Sequence, residues 1–524
     1  MKIISATEAA QLVKDNDTIA VSGFGASSSP ENLIIATGKR FTESGHPKNL
    51  KVVKGVAIGD FSGKGLSQLA KMDGLIGSVI TAHLALEPDT VEAIKNNKMM
   101  AYTMPLGSVM QLLRSMVGKK PGLLTTTGLK TFADPRHGGG KGNALTREKG
   151  EDIVELVNIG GKEALFYKYF PIDICFIRGT YSDTEGNISL RGESIEAHVY
   201  EMAAAVRNAG GIVVAQVSQV LEVGGIHPKD VSIPGNMVDY VVIADHEYTS
   251  QTLEFKVPRP ELTGDYKIPM SADKEPLPLN ERKIIGRRAA MEIEKGAILN
   301  LGIGMAEAVG AVLFEEGVID QVNISIETGI FGGVPLIGPS FGAVANARVY
   351  MRSDDILEWY DGGGLDMTCL GAAEIDSKGN VNASCFNGRC VGPGGFVDIS
   401  QNTPKACFLG TFTASGLKVK AADGKLEILE EGKITKLKKD VEEITFSAEY
   451  AVETGQDVSY ITERAVFRAE SEGFTLVEIA PGLDLEKDIL AHMEFKPRIS
   501  PNLKTMDERI FKDEKMGLSL LEKK

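Results

Sequence analysis

The sequence predicts an α/β protein built from two tandem, related open α/β domains. Three observations indicate this fold: short apolar runs alternate with longer helix-like segments, a Pro-rich stretch divides the chain near its middle, and motifs of the first half recur in the second. Short apolar runs bounded by turn residues are typical of buried parallel strands. Each half therefore reads as a series of strand-helix units around a largely parallel sheet.

The strands and helices are indicated by local apolar runs. Strands are predicted at Thr18–Val21, Lys51–Lys54, Ile174–Ile177 and Gly211–Ala215, and a helix at Pro30–Gly38. At 524 residues the chain exceeds the usual size of one hydrophobic core, which favours two domains. We place these domains at residues 1–246 and 282–524.

The segment 247–281 is predicted to be an interdomain linker. It is rich in Pro, Glu, Lys and Thr, and its Val257-Pro-Arg-Pro260 and Glu275-Pro-Leu-Pro278 sequences disfavour a regular helix or a central strand.

Charge and cysteine usage exclude several classes of protein. The net charge of -14 disfavours a surface for nucleic acid or an anionic membrane, and no apolar run approaches the about 18 residues that a membrane span requires. The amino terminus lacks the pattern of a signal peptide. Five scattered cysteines without a CxxC or HExxH motif indicate buried thiols in a reducing compartment and no metal site. We therefore expect a cytoplasmic protein.

An internal repeat relates the two halves. Residues 17–25, Asp-Thr-Ile-Ala-Val-Ser-Gly-Phe-Gly, align with residues 296–304, Gly-Ala-Ile-Leu-Asn-Leu-Gly-Ile-Gly. Residues 173–187 align without gaps with residues 366–380, with an aspartate at both ends of the strand and a Gly-Asn turn after it. For such a pair we expect an active site in the cleft between the domains, at the carboxyl ends of the strands.

Three glycine-rich loops are candidates for binding an anion or an oxyanion. They are Gly23-Phe-Gly25, Gly302-Ile-Gly304 and Gly392-Pro-Gly-Gly-Phe396. Glycine leaves backbone N–H groups open to a phosphate or to developing negative charge. A tight strand-to-helix turn without a ligand would explain each loop taken alone.

Two familiar motifs can also be drawn from these residues. Gly302–Ala306 with Glu327 resembles a dinucleotide fingerprint in which Glu327 would bind a ribose, but the third glycine is replaced. Gly338-Pro-Ser-Phe-Gly342 matches the nucleophile elbow of α/β-hydrolases, but prolines interrupt the approach and a strand-like segment follows it. We rank both below the following interpretation.

Glu327 is the principal candidate for chemistry. An apolar strand at 322–326 delivers this glutamate at its carboxyl end, and the sequence Thr-Gly-Ile-Phe-Gly-Gly333 follows. The corresponding strand of the first half, at 50–54, is followed by Gly55, so only one half carries an acid here. A carboxylate in a glycine-walled site can attack an activated acyl group. A turn-capping acid is the alternative role for Glu327.

An ordered set of motifs along the whole chain resembles the family I CoA-transferases, specifically the fused single-chain type that acts on short acyl groups such as propionate or acetate. The motifs are Gly23-Phe-Gly25 with Pro30-Glu-Asn-Leu33, Met104-Pro-Leu-Gly107, Asp134-Pro-Arg-His-Gly138-Gly-Gly-Lys141, Asn300-Leu-Gly-Ile-Gly304, Glu327-Thr-Gly329 with Gly332-Gly-Val-Pro335, Tyr360-Asp-Gly-Gly-Gly-Leu-Asp366 and Gly392-Pro-Gly-Gly-Phe396.

The resemblance implies an acyl-CoA:carboxylate CoA-transferase of the acetate, propionate and butyrate class that works by a ping-pong mechanism. Glu327 would carry a glutamyl-CoA thioester. Contacts to CoA are implied at Gly302, Gly304, Gly394, Gly395 and Phe396, and the oxyanion or acyl pocket at Gly23, Gly25 and Leu106. Leu106 departs from the glutamine of many fused relatives, which leaves the acyl specificity open.

The resemblance further implies that CoA is both substrate and covalent intermediate, with no metal and no permanently bound cofactor. The expected partners are acyl-CoA and short carboxylic acids, and the chain is expected to form a homo-oligomer. Two alternatives stay open: an acyl-CoA hydrolase on the same fold, in which water resolves the thioester, and an NAD-binding or non-catalytic nucleotide-binding protein.

Overall fold

The computed structural model describes residues 1–269 and 276–523, so residues 270–275 of the predicted linker lie outside the described residues. The chain forms two compact units. The first contains residues 1–269, 327–358 and 385–395, and the second contains the described residues of 270–326, 359–384 and 396–524. None of the described helices is long and apolar enough to cross a membrane.

Residues 1–269 contain the main parallel sheet of the first unit. The strands are β1 (Lys2–Ile3), β2 (Thr18–Val21), β3 (Leu50–Val53), β4 (Ile76–Thr81), β5 (Met100–Thr103), β6 (Gly122–Thr125), β7 (Val154–Ile159), β8 (Lys162–Lys168), β9 (Ile174–Asp183), β10 (Ile188–Ser189), β11 (Ile212–Leu221) and β12 (Tyr240–Ile243). The helices are α1 (Ala6–Gln11), α2 (Glu31–Ser44), α3 (Ser67–Ala70), α4 (Pro88–Lys95), α5 (Leu106–Val117), α6 (Ala144–Lys149) and α7 (Val199–Ala209).

The sheet order in this part is β1-β12-β11-β9-β2-β3-β4-β5, and all of these neighbours run parallel. β10 adds to β9 in the antiparallel sense, and β6, β8 and β7 form a separate antiparallel sheet. All four residues of β2 are buried, as its uninterrupted apolar pattern predicts for a central parallel strand.

The rest of the chain contributes many short strands and a second parallel sheet. The strands are β13 (Ile298–Leu301), β14 (Asn323–Ile326), β15 (Ile330–Phe331), β16 (Val334–Pro335), β17 (Val344–Ala345), β18 (Val349–Tyr350), β19 (Met367–Gly371), β20 (Glu374–Ile375), β21 (Val381–Asn382), β22 (Cys385–Phe386), β23 (Arg389–Cys390), β24 (Lys405–Leu409), β25 (Thr413–Ala414), β26 (Lys418–Ala422), β27 (Lys425–Glu430), β28 (Ile434–Thr435), β29 (Asp457–Ile461), β30 (Ala465–Glu470), β31 (Gly473–Ile479) and β32 (Arg498–Thr505). The helices are α8 (Glu281–Ala290), α9 (Glu307–Glu316), α10 (Ser353–Asp361), α11 (Phe396–Ser400) and α12 (Ala448–Thr454).

Within the second unit the strand order is β14-β13-β19-β24-β29-β30-β31-β32. The strands from β14 to β29 run parallel, and β30 and β31 continue the sheet in the antiparallel sense. The fold class predicted from the sequence is confirmed: each unit is built on an open, largely parallel sheet.

The internal repeat is visible in equivalent hydrogen bonds of the two sheets. In the first unit the amide of Thr18 donates to the Asp173 carboxylate at 2.8 Å. In the second unit the amide of Ile298 donates to the Asp366 carboxylate at 2.9 Å. Each aspartate amide donates in return to the carbonyl of the same strand residue. Both copies therefore hold the start of their central strand by the same reciprocal pair.

The aspartate-asparagine turn recurs as well. A carboxylate oxygen of Asp183 accepts from the backbone amide of Asn187, and that of Asp376 accepts from the backbone amide of Asn380, both at 2.9 Å. In each turn the asparagine side chain donates to the other carboxylate oxygen, at 2.8 and 2.9 Å. This part of the predicted alignment is confirmed at the level of single atoms.

The predicted alignment of Gly23 with Gly302 is wrong by one residue. The amide of Ser22 donates to the carbonyl of Phe176, and the amide of Gly302 donates to that of Cys369. Both acceptors lie three residues after the paired aspartates, so Gly302 is the counterpart of Ser22 rather than of Gly23. The same offset applies to the preceding strand, where Ile298 rather than Ala297 is the counterpart of Thr18.

Candidate active site

Glu327 lies directly after β14, at the carboxyl end of a parallel strand. Its side chain is half-buried, while Ser325, Ile326 and Thr328 around it are buried. Ligands of open α/β sheets bind outside the carboxyl ends of the strands. The structure therefore places Glu327 just after a strand, as the sequence predicts for the apolar run before it.

Gly329 fixes the backbone that follows Glu327. The amide of Met351 donates to the Gly329 carbonyl at 2.7 Å, and a Cβ added to Gly329 would lie only 1.9 Å from the Met351 carbonyl oxygen. The φ of Gly329 is +95°, in a region that L side chains rarely adopt. β15 and β18 continue this contact as an antiparallel pair. A glycine is required here because two backbones touch.

The Gly23–Gly25 loop lies beside the residue after Glu327. The Thr328 hydroxyl donates to the carbonyl of Gly342 at 2.8 Å. A Cβ on Gly342 would lie 2.9 Å from a ring carbon of Phe24 and from the methyl group of Thr328. One glycine thus packs against both the loop of the first half and the segment that carries Glu327.

Gly25 and Gly23 are themselves tightly placed. The amide of Gly25 donates to the Ala57 carbonyl at 2.8 Å, and a Cβ on Gly25 would lie 2.5 Å from the Pro339 oxygen. Gly23 has a φ of +145°, and its Cβ would lie 3.1 Å from the Ile58 side chain. The structure therefore brings these two predicted site residues to the Glu327 segment. The nearby Gly338–Ser340 turn is followed by β17 and not by a helix, which excludes a nucleophile elbow.

The Gly392–Gly395 loop lies at the carboxyl ends of β4 and β5. The amide of Gly394 donates to the Ala82 carbonyl at 2.9 Å, and the amide of Leu106 donates to the Gly394 carbonyl at 3.1 Å. A Cβ on Gly392 would lie 2.3 Å from the Ala82 oxygen. The Leu106 side chain is fully buried at the start of α5. The loop is therefore fixed by its own backbone, and the Gly394 N–H is already engaged.

His83 and Lys54 are polar neighbours of this loop that the sequence analysis did not single out. The Cβ of His83 lies 3.9 Å from the place a Cβ on Gly394 would take. Desolvation and the nearby charge of Lys54 lower the pKa of His83 from 6.5 to about 4, so its ring is neutral at neutral pH. Lys54 directly follows β3, and His83 is the second residue after β4. A search for polar residues just after strands would have found both.

Lys54 is a buried cation with one principal partner. Its side chain and that of Glu87 are each 1% exposed, and they form an ion pair. Glu87 also accepts from the amide of Ile58 at 2.7 Å and from the hydroxyl of Thr90 at 2.9 Å. Burial lowers the pKa of Lys54, while the Glu87 carboxylate opposes that shift. Through Glu87 the pair is linked to Ile58, whose side chain packs against Gly23.

The remaining predicted site residues, Gly302, Gly304 and Phe396, belong to the second unit. Gly304 has a φ of +82° and no atom within 4 Å of an added Cβ, so its surroundings are open within the described residues. Phe396 is buried and stacks on Phe408 with ring centroids 5.7 Å apart. The Gly304 carbonyl accepts from the Arg282 side chain at 2.9 Å, and Phe396 contributes to the aromatic core of its unit.

The expectation of five unpaired thiols is wrong for two of them. Cys385 and Cys390 form a disulfide across the β22-β23 hairpin, whose Asn387-Gly388 turn has positive φ at both residues. This Asn-Gly turn brings the two Cα atoms to 4.0 Å. The other three cysteines, Cys175, Cys369 and Cys407, are buried and unbridged, as predicted.

The repeated parallel sheet places one strand-end glutamate in a segment that packs against a glycine loop, and comparison with known proteins shows the family. The family model of the coenzyme A transferases matches residues 3–244 and 282–483. The chain belongs to the coenzyme A transferase family and is a CoA-transferase, with CoA as part of its substrate.

Individual relatives are similar over the whole chain. The caffeate CoA-transferase of Acetobacterium woodii is 42% identical over 99% of both chains. The acetate CoA-transferase YdiF of Escherichia coli (strain K12) is 42% identical over 99% of this chain and 97% of its own. The crystal structure of the acyl-CoA transferase YdiF apoenzyme from Escherichia coli O157:H7 superposes with a TM-score of 0.93 at 41% identity, covering 100% of this chain and 98% of that one.

A second YdiF crystal structure contains a thioester complex with CoA. It superposes with a TM-score of 0.92 at 40% identity, again covering 100% of this chain and 98% of that one. The family membership favours acyl transfer over the dinucleotide interpretation of Gly302–Ala306.

Proposed function

We propose that this enzyme transfers CoA from a short-chain acyl-CoA to a second short-chain carboxylate, with Glu327 as the nucleophile. The observation that carries this proposal is the position of Glu327, a half-buried carboxylate at a strand end whose segment packs through Gly342 against the Gly23–Gly25 loop. A carboxylate held in such a glycine-walled site can form a covalent acyl intermediate.

The reaction balances without a further reactant. The Glu327 carboxylate attacks the thioester carbonyl, the C–S bond breaks, and CoA leaves as a thiolate beside a mixed anhydride. The thiolate then attacks the glutamyl carbonyl, which releases the first acid as a carboxylate and leaves a glutamyl-CoA thioester. A second carboxylate reverses both steps. No net proton is consumed, and the site must keep water from both intermediates.

Each tetrahedral step develops an oxyanion that needs backbone N–H donors. The N–H of Gly394 donates to Ala82 and that of Gly25 donates to Ala57, so Gly395 and Gly23 are the better candidates for this role. The internal repeat supports a position of the Gly392–Gly395 loop near Glu327. In the first copy the residue just before α7, His198, packs against Gly55, the counterpart of Glu327. The Gly392–Gly395 loop precedes α11, the corresponding helix of the second copy.

The relatives support a substrate class rather than one substrate. Two of them share the same 42% identity with this chain yet are named for acetate and for caffeate, so identity at this level does not select one acid. We propose short-chain acids for this enzyme, with Leu106 lining the acyl pocket and Gly302, Gly304 and Gly395 contacting CoA. Leu106 offers no polar group, which favours acyl groups without a second carboxylate.

We also propose that the protein is a cytoplasmic homo-oligomer. Each chain would consist of two sequence domains, 1–246 and 282–524, joined by the linker 247–281. The three buried, unbridged cysteines support a cytoplasmic location, whereas the Cys385–Cys390 disulfide counts against a reducing compartment. The repeat bonds at Asp173 and Asp366 support the two sequence domains.

Product analysis with and without an acceptor acid tests the function. Incubation with propionyl-CoA and isotopically labelled acetate should yield labelled acetyl-CoA and propionate in equal amounts. With propionyl-CoA alone, free thiol should appear far more slowly than CoA is transferred when acetate is present. Steady release of free CoA without acetate would instead identify the hydrolase of the same fold and overturn the proposal.

A further inference from the structure

His198 connects helix α7 to the segment that carries Glu327. Its ring is 1% exposed, and Nδ1 hydrogen bonds with the Asp354 carboxylate at 3.0 Å and with the Ser353 hydroxyl at 3.2 Å. Both partners lie in the first turn of α10, within the 327–358 part of the first unit. The contact joins residues more than 150 positions apart in the sequence.

The backbone at His198 is held in an unfavourable conformation. Ala197 and His198 both have positive φ, at 49° and 61°, although neither is glycine. Non-glycine residues in this region persist only where surrounding contacts hold them, and such residues cluster at functional sites. The conformation turns the imidazole towards α10, so the bonds to Asp354 and Ser353 compensate for the cost.

The path from His198 to Glu327 is short and continuous. Asp354 and Ser353 follow directly on Met351 and Arg352, whose backbones contact Gly329. A Cβ on Gly329 would lie 1.9 Å from the Met351 oxygen and 3.3 Å from the carbonyl carbon of Arg352. Gly329 is two residues after Glu327, so a shift of the first turn of α10 is transmitted directly to the glutamate.

Charged side chains reinforce this contact. Arg352 pairs with Glu201 of α7, whose side chain is 2% exposed, and Arg114 of α5 pairs with Asp355 at 2.5 Å. Burial alone would raise the pKa of Asp354, but the charge and hydrogen bond of His198, together with Arg352 and Arg114, lower it overall. Asp354 is therefore a charged acceptor for the imidazole N–H.

The other ring nitrogen faces the floor of the sheet. Nε2 of His198 is buried and has no hydrogen-bond partner among the described residues. It lies 3.2 Å from the place a Cβ on Gly55 would take, and Gly55 follows β3 at the carboxyl edge. The ring thus spans the distance between a fixed strand end and the first turn of α10.

We propose that His198 is a positioning residue that fixes the position of the Glu327 backbone through Asp354 and Gly329. This inference rests on the proposed function of Glu327 as the nucleophile. The imidazole bonds to Asp354 and Ser353, and it acts by holding residues 351–354 against Gly329. A misplacement of about 1 Å far from the reacting atoms can cost on the order of 10²-fold in rate.

A set of variants separates positioning from general stability. His198→Ala should slow single-turnover formation of the glutamyl-CoA thioester about 10²-fold while changing KM for acyl-CoA less than about threefold. His198→Asn places an amide N–H near the position of Nδ1 and should recover to within about fivefold of wild type, whereas His198→Gln should not. Met202→Ala, a buried substitution in the same helix, is the matched control and should lower stability without the selective loss of rate.

Hydrogen exchange supplies a readout that does not depend on the chemistry. The Met351 amide, which donates to Gly329, should lose protection in His198→Ala and keep it in His198→Asn. Should His198→Ala not fold, Asp354→Asn keeps the side-chain volume, removes the charged acceptor and is expected to show the same losses.

Wild-type thioester formation in His198→Ala, or equal loss in His198→Asn and His198→Ala, would overturn the positioning role. If the wild type transfers CoA without labelling Glu327, the proposed nucleophile fails instead, and that outcome is read in the wild type alone.

Discussion

The two copies of the repeat place different residues after the equivalent strands β3 and β14. Lys51 of β3 lies opposite Thr18, and Asn323 of β14 lies opposite Ile298, which makes Gly55 the counterpart of Glu327. In the first copy the strand end is filled by His198 and preceded by the buried Lys54–Glu87 pair. In the second copy it carries a half-buried carboxylate.

The difference indicates that equivalent strand ends of a duplicated sheet can serve different roles, one in stability and the other in chemistry. One strand end is a closed polar support, whose charges are satisfied within the protein. The other carries the half-buried carboxylate proposed as the nucleophile, and Gly329 and Gly342 lie in close contacts of its segment. Buried paired charges are expensive to break, whereas a half-exposed carboxylate can be exchanged at little structural cost.

Replacing the carboxylate should destroy activity and leave the fold intact. For Glu327→Gln we expect kcat to fall by at least about 10⁴-fold, because the amide cannot form the acyl intermediate. The free energy of unfolding should change by less than about 1 kcal/mol. Initial rates of CoA transfer and urea denaturation measure the two quantities. Glu294→Gln, also half-buried, is the control and should keep wild-type activity.

Breaking the buried pair at the other strand end should do the reverse. Lys54→Met leaves the Glu87 charge buried without its partner and should cost about 3–5 kcal/mol of unfolding free energy. The double variant Lys54→Met with Glu87→Leu should recover most of this loss. Denaturant titration provides the measurement, and Lys98→Met, at an exposed pair with Asp73, should cost less than about 1 kcal/mol. A Lys54→Met protein as stable as wild type would show that this strand end is not a support.

Adding one methyl group at Gly329 should displace Glu327. A Cβ there would meet the Met351 carbonyl oxygen at 1.9 Å, so Gly329→Ala should lower kcat about 10²-fold by moving the backbone of the segment. Gly224→Ala is matched in backbone conformation, with a φ of +87°, but has nothing within 4 Å of the added carbon. This control should lose about 1 kcal/mol of stability and no activity. Equal rates for the two variants would contradict the close-contact account.

Opening the hairpin disulfide should have the smallest effect. The second copy places the β22-β23 hairpin before its glycine loop, where the first copy has no disulfide among its described residues. Closing so short a loop stabilises the folded state by about 2 kcal/mol on the chain-entropy account. The variant with both Cys385→Ser and Cys390→Ser should lose that amount in urea titration, and dithiothreitol should then have no further effect. A larger loss of stability would mean that the hairpin supports more than its own turn.

Much of the fold could be predicted because its signals are local. The strands at Thr18–Val21 and Ile174–Ile177 are apolar runs between turn residues, and both lie in the predicted positions. The Asp173 and Asp366 strands could be aligned because each aspartate makes the same bonds at the same spacing. Glu327 could be chosen because the repeat shows a glycine in the matching place.

Other features depend on contacts that no local pattern encodes. The segment 327–358 joins the first unit through bonds such as that from the Ala26 amide to the Pro339 carbonyl, which links residues far apart in sequence. The His198–Asp354 bond has the same character. The pairing of Cys385 with Cys390 required knowledge of the hairpin. The one-residue slip arose because the alignment matched the two Gly-x-Gly patterns, whereas the hydrogen bonds make Thr18 and Ile298 equivalent.

If Glu327 is the nucleophile, acyl-CoA converts it into a CoA thioester. The most direct test is peptide mass mapping after incubation with propionyl-CoA in the absence of an acceptor acid, with hydroxylamine used to convert the thioester into a stable hydroxamate. The account predicts a single modified peptide with the mass change on Glu327, and its disappearance when acetate is added before trapping. Transferase activity together with an unmodified Glu327 would contradict it.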